Sequence, residues 1–286
     1  MAKGIISIWG RIKEILKKVL PKGQFARSVI VLAGGTAFGQ AISVLVSPIL
    51  TRLYKPEDFG VLAVYSSVLG ILSVVASWRY ELAIPLPEKD EDAVALVVLS
   101  LGIVVLMSIF VGLGSWLIGS KFVQWLKVQA LRPYLWLLPI GMLLGGSYQV
   151  FNYWAVRKQA YNVIAKTKLR QGLGSAITQV TLGFLKSGPF GLIGGSIVGQ
   201  SAGILTLSDL LFKKHKESLQ FIKPENIKKM ALRYLRFPKF SAFGSLVNTA
   251  GLQLPSILLA FYYGPQVAGW FALAQRVLGV PMNLLG

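Results

Sequence analysis

Long apolar runs alternate with short polar clusters along this chain, and the runs set its plan. Eight of them are continuous, without strict alternation of apolar and polar positions, so they predict helices and not barrel strands. Their expected bounds are about 28–51, 59–84, 93–118, 133–156, 169–185, 190–212, 240–263 and from 265 onward. A helix needs about 20 residues to cross a hydrocarbon core of ~30 Å. The second run would reach roughly 39 Å at the helical rise, so Arg79 and Glu81 are expected at its interfacial end. Two positions apart on a helix, they should not face each other.

Ahead of the first run, residues 4–20 place Ile5, Ile8, Trp9, Ile12, Ile15, Leu16 and Val19 on one face, with Arg11 and lysines on the other. This predicts an amphipathic helix lying on a membrane surface and ended by Pro21 and Gly23. Ile227, Met230, Ala231, Tyr234 and Leu235 repeat the device before the seventh run.

One stretch occurs twice. Residues Ser47–Ile71, shifted by 209 positions, lie on Ser256–Val280 with nine of twenty-five positions identical. Tyr54/Tyr263, Pro56/Pro265, Gly60/Gly269 and Gly70/Gly279 keep one ungapped register, which shared apolar composition does not explain. Six predicted spans separate the copies, so both have the same orientation. That is the parallel kind of repeat found in transporters built from two bundles. The expected organisation is an interfacial helix over 1–23, a first transmembrane bundle of six spans over 24–223, and over 224–286 a second interfacial helix with the first two helices of a second bundle. On this reading the chain is a fragment of one with at least twelve spans.

Composition strengthens the membrane assignment. Hydrophobic residues make up 54% and charged residues 14%, against about 25% charged in an ordinary soluble domain, and the mean hydropathy is +0.61. The fold class is an all-α integral membrane protein. The net charge of +19 sits between the apolar runs, a pattern of topology and anionic-lipid contact and not of nucleic-acid binding. With the N-terminus cytoplasmic, the inside segments hold twenty-three Lys and Arg and the outside turns six.

Several chemistries drop out. There is no cysteine for disulfide or thiolate work, and the single histidine, His215, lies in a charged loop. No metal centre and no cofactor are expected. Asp90 and Asp92 make the DxD pattern of some metal-dependent sugar transferases, but acids at this position also complement the N-terminal dipole of the third helix. With no soluble domain to bind a nucleotide, the chain is not expected to be an enzyme.

The stretch LTRLYKPEDFGVLAVYSSVLGIL, followed by RYELAIPLP at Arg79–Pro87, resembles the first hairpin of bacterial polysaccharide-biosynthesis flippases. These are the Wzx-type O-antigen transporters of the multidrug/oligosaccharidyl-lipid/polysaccharide superfamily. The resemblance implies two six-helix bundles around a central cavity, a fold shared with that superfamily's drug exporters. It implies transport of an undecaprenyl-diphosphate-linked oligosaccharide from the cytoplasmic to the outer leaflet of the bacterial inner membrane, in lipopolysaccharide synthesis. Its partners would be that lipid-linked sugar, membrane lipids, and the polymerase and glycosyltransferases of the same pathway. The alternative is a cation-coupled multidrug exporter, which should carry a carboxylate deep in the first bundle. The sequence offers only Glu81 and Asp209, both expected near the cytoplasmic surface.

A diphosphate needs cations. Arg276 stands about eleven residues past Pro265, near 16 Å into a span, where an ionisable group marks function by default. Its guanidinium suits bidentate phosphate contact. Arg79, in the RYE stretch, is the second diphosphate candidate. Gln40, Tyr148, Asn152 and Gln179 are candidates for a polar sugar path, or for hydrogen bonds between helices. Arg52, Arg157, Lys168 and Arg170 are assigned to topology or headgroup contact.

Overall fold

The computed structural model describes residues 24–212 and 223–285. The surface helix expected over 4–20, His215, and the 213–222 part of the basic block lie outside the described residues. Eleven α-helices are described, together with two 3-10 turns and one π turn, and no strand occurs among these residues.

The helices are α1 (Gln24–Leu53), α2 (Pro56–Val74), α3 (Asp90–Leu117), α4 (Gly119–Trp125), α5 (Leu137–Arg157), α6 (Tyr161–Phe184), α7 (Pro189–Ser201), α8 (Ile204–Phe212), α9 (Pro224–Arg233), α10 (Ala242–Tyr263) and α11 (Pro265–Leu285). Among the described residues, five segments are long and apolar enough to cross a membrane: Gly34–Leu53, Pro56–Val74, Asp90–Leu117, Pro189–Phe212 and Phe237–Tyr263. The chain is therefore an all-helical membrane protein. Helices α5, α6 and α11 fall outside that set although each has at least 21 residues.

Local chemistry sets the boundaries. Helices α2, α7, α9 and α11 each begin on a proline, whose fixed φ suits the first turn and whose missing N–H is not needed there. At α2 the Asp58 carboxylate also accepts from the Lys55 backbone N–H at 3.0 Å, which satisfies one donor at the helix entrance. Gly264, at φ +86, takes the left-handed turn between α10 and α11 that a side chain would resist.

Three expectations need correction. The second run does not form one helix to residue 84. Helix α2 stops at Val74, about 28 Å long at the helical rise, and Trp78 and Arg79 both adopt positive φ, at 50 and 64. A 3-10 turn over Tyr80–Ala83 follows. Released from helical geometry, Arg79 and Glu81 do meet, with Nη1 to Oε1 at 3.6 Å. The fifth run forms a longer helix than its expected bounds of 169–185. As α6 it starts at Tyr161 and takes in Lys166 and Lys168, which precede the expected start at residue 169. The sixth run is broken at Ala202 and Gly203 into α7 and α8.

The main core joins α2, α3, α5 and α9 around Tyr65, Leu96, Met142 and Trp154, all fully buried. Met230 of α9 is also fully buried, so the amphipathic stripe predicted there docks on the bundle against α3. The phenol of Tyr80 donates to the Ala231 carbonyl at 3.0 Å and ties the 3-10 turn to α9. A smaller core of Leu50, Tyr54, Phe59 and Leu192 closes the opposite end of the bundle. There Tyr54 donates to the Gln179 carbonyl at 2.6 Å.

Candidate functional site

The two copies of the repeat touch each other through their equivalent residues. A Cβ added to Gly60 would stand 1.7 Å from the Pro265 carbonyl oxygen, and one added to Gly269 would stand 1.9 Å from that of Pro56. Only glycine permits this approach, and the reciprocity is what two equivalent surfaces related by a two-fold axis produce. Farther along, Ala63, Ser66 and Ser67 of α2 line one cavity with their register mates Ala272, Gln275 and Arg276 of α11. The helices therefore run in the same direction from their shared contact.

This cavity has a volume of about 320 Å³, and Gln253 and Ser256 of α10 complete its polar lining. Ser67 donates to Gln253 Oε1 at 3.0 Å. Arg276 is half-buried and donates from Nη2 to Ser43 Oγ of α1 at 2.8 Å. No acidic side chain lines the cavity or pairs with Arg276 among the described residues. A guanidinium left with donors to spare has the chemistry to hold an anion.

The remaining sequence candidates separate. Tyr148 and Asn152 line a second cavity of about 250 Å³ between α5, α6 and α7, with Gln149, Lys168, Gln171 and Gln200. It shares no lining residue with the first. Gln179 is buried between α6 and α7, where its Nε2 donates to the Leu192 carbonyl at 3.3 Å. Gln40 is half-buried on α1 and lines neither cavity.

Arg79 lies away from both cavities, in the turn after α2. Its Nη1 pairs with the buried carboxylate of Glu81, which also accepts from Ser77 Oγ, and its Nε is buried without a partner. Arg157 acts within the protein. It donates to the carbonyls of Pro85, Pro87 and Glu88 at 3.3, 2.5 and 3.2 Å and to Asp90 Oδ1 at 3.0 Å. Lys158 also bonds Asp90. The first acid of the DxD pattern is thus engaged by two basic side chains.

Sequence reasoning passed over Ser66, Ser67 and Gln253, and assigned Lys168 to a loop. The spacing of Ile164, Thr167 and Gln171 continues the α6 pattern upstream of the predicted start and marks Lys168 as helical.

A family model described as polysaccharide biosynthesis protein matches residues 49–286. No curated protein and no solved structure matches the chain. The family match spans most of the length, including the second copy of the repeat, all but the first two residues of the first copy, and the lining of both cavities, and on that basis the chain belongs to the polysaccharide biosynthesis protein family.

Proposed function

We propose that this protein flips an undecaprenyl-diphosphate-linked oligosaccharide from the cytoplasmic to the outer leaflet of the bacterial inner membrane. The observation that carries the reading is Arg276, a cation with no acidic partner among the described residues, in the cavity between the two copies of the repeat. A diphosphate supplies the missing negative charge. The hydroxyls of Ser66 and Ser67 and the amides of Gln253 and Gln275 match sugar hydroxyls in the same space. Among the described residues no acidic side chain lines either cavity, which favours an anionic substrate over cation-coupled drug export.

Alternating access follows from the repeat. Residues 24–223 act as a six-span bundle, and α10 and α11 belong to the facing half. The Gly60–Gly269 contact joins the halves at the outer end of the cavity, and the cytoplasmic end is where an inward-facing state opens. Rocking the halves about the repeat axis exchanges the two openings. The N-terminus is cytoplasmic, in keeping with the distribution of basic residues. The protein forms and breaks no bond, and its partners are the lipid-linked sugar, membrane lipids and the polymerase and glycosyltransferases of the pathway.

Binding tests this reading. Purified protein in nanodiscs should retain undecaprenyl diphosphate and not undecaprenol, and Arg276→Ala should weaken retention about tenfold or more, as loss of a charged hydrogen bond does. Equal retention of the diphosphate and the alcohol would contradict it.

A further inference from the structure

The cavity between α5, α6 and α7 holds a charge that the proposed transport path does not use. Lys168 is half-buried there, and its Nζ lies 5.2 Å from the centroid of the Tyr148 ring. A ring face offsets part of an ammonium's charge but does not replace a counter-ion. No acidic side chain lines the cavity, and no ion pair involves Lys168 among the described residues. Removing an ammonium from water without a partner is costly.

The surrounding amides divide into two sets. Gln171 Nε2 donates to the Gln200 carbonyl at 3.2 Å, and Gln200 Nε2 donates to Ser196 Oγ at 3.2 Å. Among the described residues the amides of Gln149 and Asn152 have no such bond, and Asn152 Oδ1 is buried without a partner. An amide can present either its oxygen or its NH₂ to a site. The cavity therefore offers one formal positive charge and two uncommitted amides. At about 250 Å³ it lies below the usual range for drug-sized ligands, ~300–1,000 Å³.

We propose that this cavity is a binding site for one small monovalent anion, with Lys168 as its charge and Gln149 and Asn152 as its neutral donors. The site sits beside a close backbone crossing of α1 and α6. A Cβ on Gly39 of α1 would stand 2.9 Å from the Lys168 carbonyl oxygen, and one on Gly172 would stand 2.9 Å from Gly39 Cα. Anion occupancy thus bears on the packing of α1 against α6, and Ser43, one helical turn beyond Gly39 on α1, is the residue that holds Arg276.

The test uses chloride and the full chain in nanodiscs. Thermal unfolding is followed while chloride replaces gluconate at constant ionic strength. The expected result is a saturable rise in Tm for the wild type. Its midpoint should move about tenfold to higher chloride in Lys168→Gln and about threefold in Gln149→Ala. A wild type that responds equally to both anions would overturn the proposal, as would an unchanged midpoint in Lys168→Gln. A response abolished by Arg276→Ala and kept by Lys168→Gln would assign the anion to the other cavity and also overturn it. Should Lys168→Gln give no folded protein, Gln149→Ala decides, and an unshifted midpoint there counts against the site.

Discussion

Gly60 and Gly269, equivalent positions 209 residues apart, face each other where α2 meets α11. A Cβ on Gly269 would stand 2.9 Å from the Gly60 amide nitrogen, and each glycine opposes the other's proline carbonyl. Backbones this close support Cα–H···O contacts, which recur at helix crossings. Adding a methyl group at either position forces the helices apart, and overpacking of this kind costs about 1–3 kcal/mol. Gly60→Ala and Gly269→Ala should each lower the Tm of the purified protein, and the double variant should lose less than the sum, because both break one contact. Gly102→Ala is the control. Its Cβ would meet nothing within 4 Å, so it should be neutral or slightly stabilising.

Repeat mates need not be energetically alike. Tyr54 is 5% exposed and donates to the Gln179 carbonyl, whereas its mate Tyr263 is 70% exposed. Tyr54→Phe should destabilise by about 1–2 kcal/mol, the effect of removing a buried hydrogen bond. Tyr263→Phe should leave Tm unchanged. Equal shifts in the two variants would show that the Tyr54 bond contributes nothing.

Arg157 holds the segment 85–90 by four donations to its backbone and to Asp90. Its side chain is 10% exposed while that of Asp90 is 40% exposed, so solvent screens the ion pair and the carbonyl bonds carry more of the effect. Arg157→Ala should cost about 1–3 kcal/mol and speed proteolysis within 85–90. Lys158→Ala, which removes one bond to Asp90 and a cation–π contact with Trp154 but no bond to the backbone of the segment, should do so less. The planar fork of arginine is what reaches several acceptors at once, so Arg157→Lys should resemble Arg157→Ala more than the wild type in the same digestion.

The helical character and the internal repeat could be read from the sequence because each rests on a local signal. Apolar runs report helices, and Pro and Gly at fixed offsets report a repeated turn. Where the signal was not local, the reading failed. The apolar stretch through Ala83 and Ile84 looks like the end of a span, but both residues are fully buried at the end of a short 3-10 turn. Composition does not separate a lipid-facing helix from a buried turn, and nothing in the sequence announces the positive φ of Trp78 and Arg79. Lys168 was hidden among basic residues that resemble a connector, although it lies on the same helix as the buried Ile164 and Thr167. Gln253 stood alone in an apolar helix, and only its position opposite Ser67 gives it meaning. Arg276 was recognisable at once, since a lone cation inside an apolar run is conspicuous in any register.

Arg276 bears the central claim, and complementation tests it most directly. The gene, carrying either Arg276 or Arg276→Ala, is placed in a strain that lacks its own O-antigen flippase, and surface polysaccharide is measured at matched expression. The account predicts rescue by the wild type, with loss of about tenfold or more in Arg276→Ala and partial recovery in Arg276→Lys. Full rescue by Arg276→Ala would contradict the role assigned to this arginine.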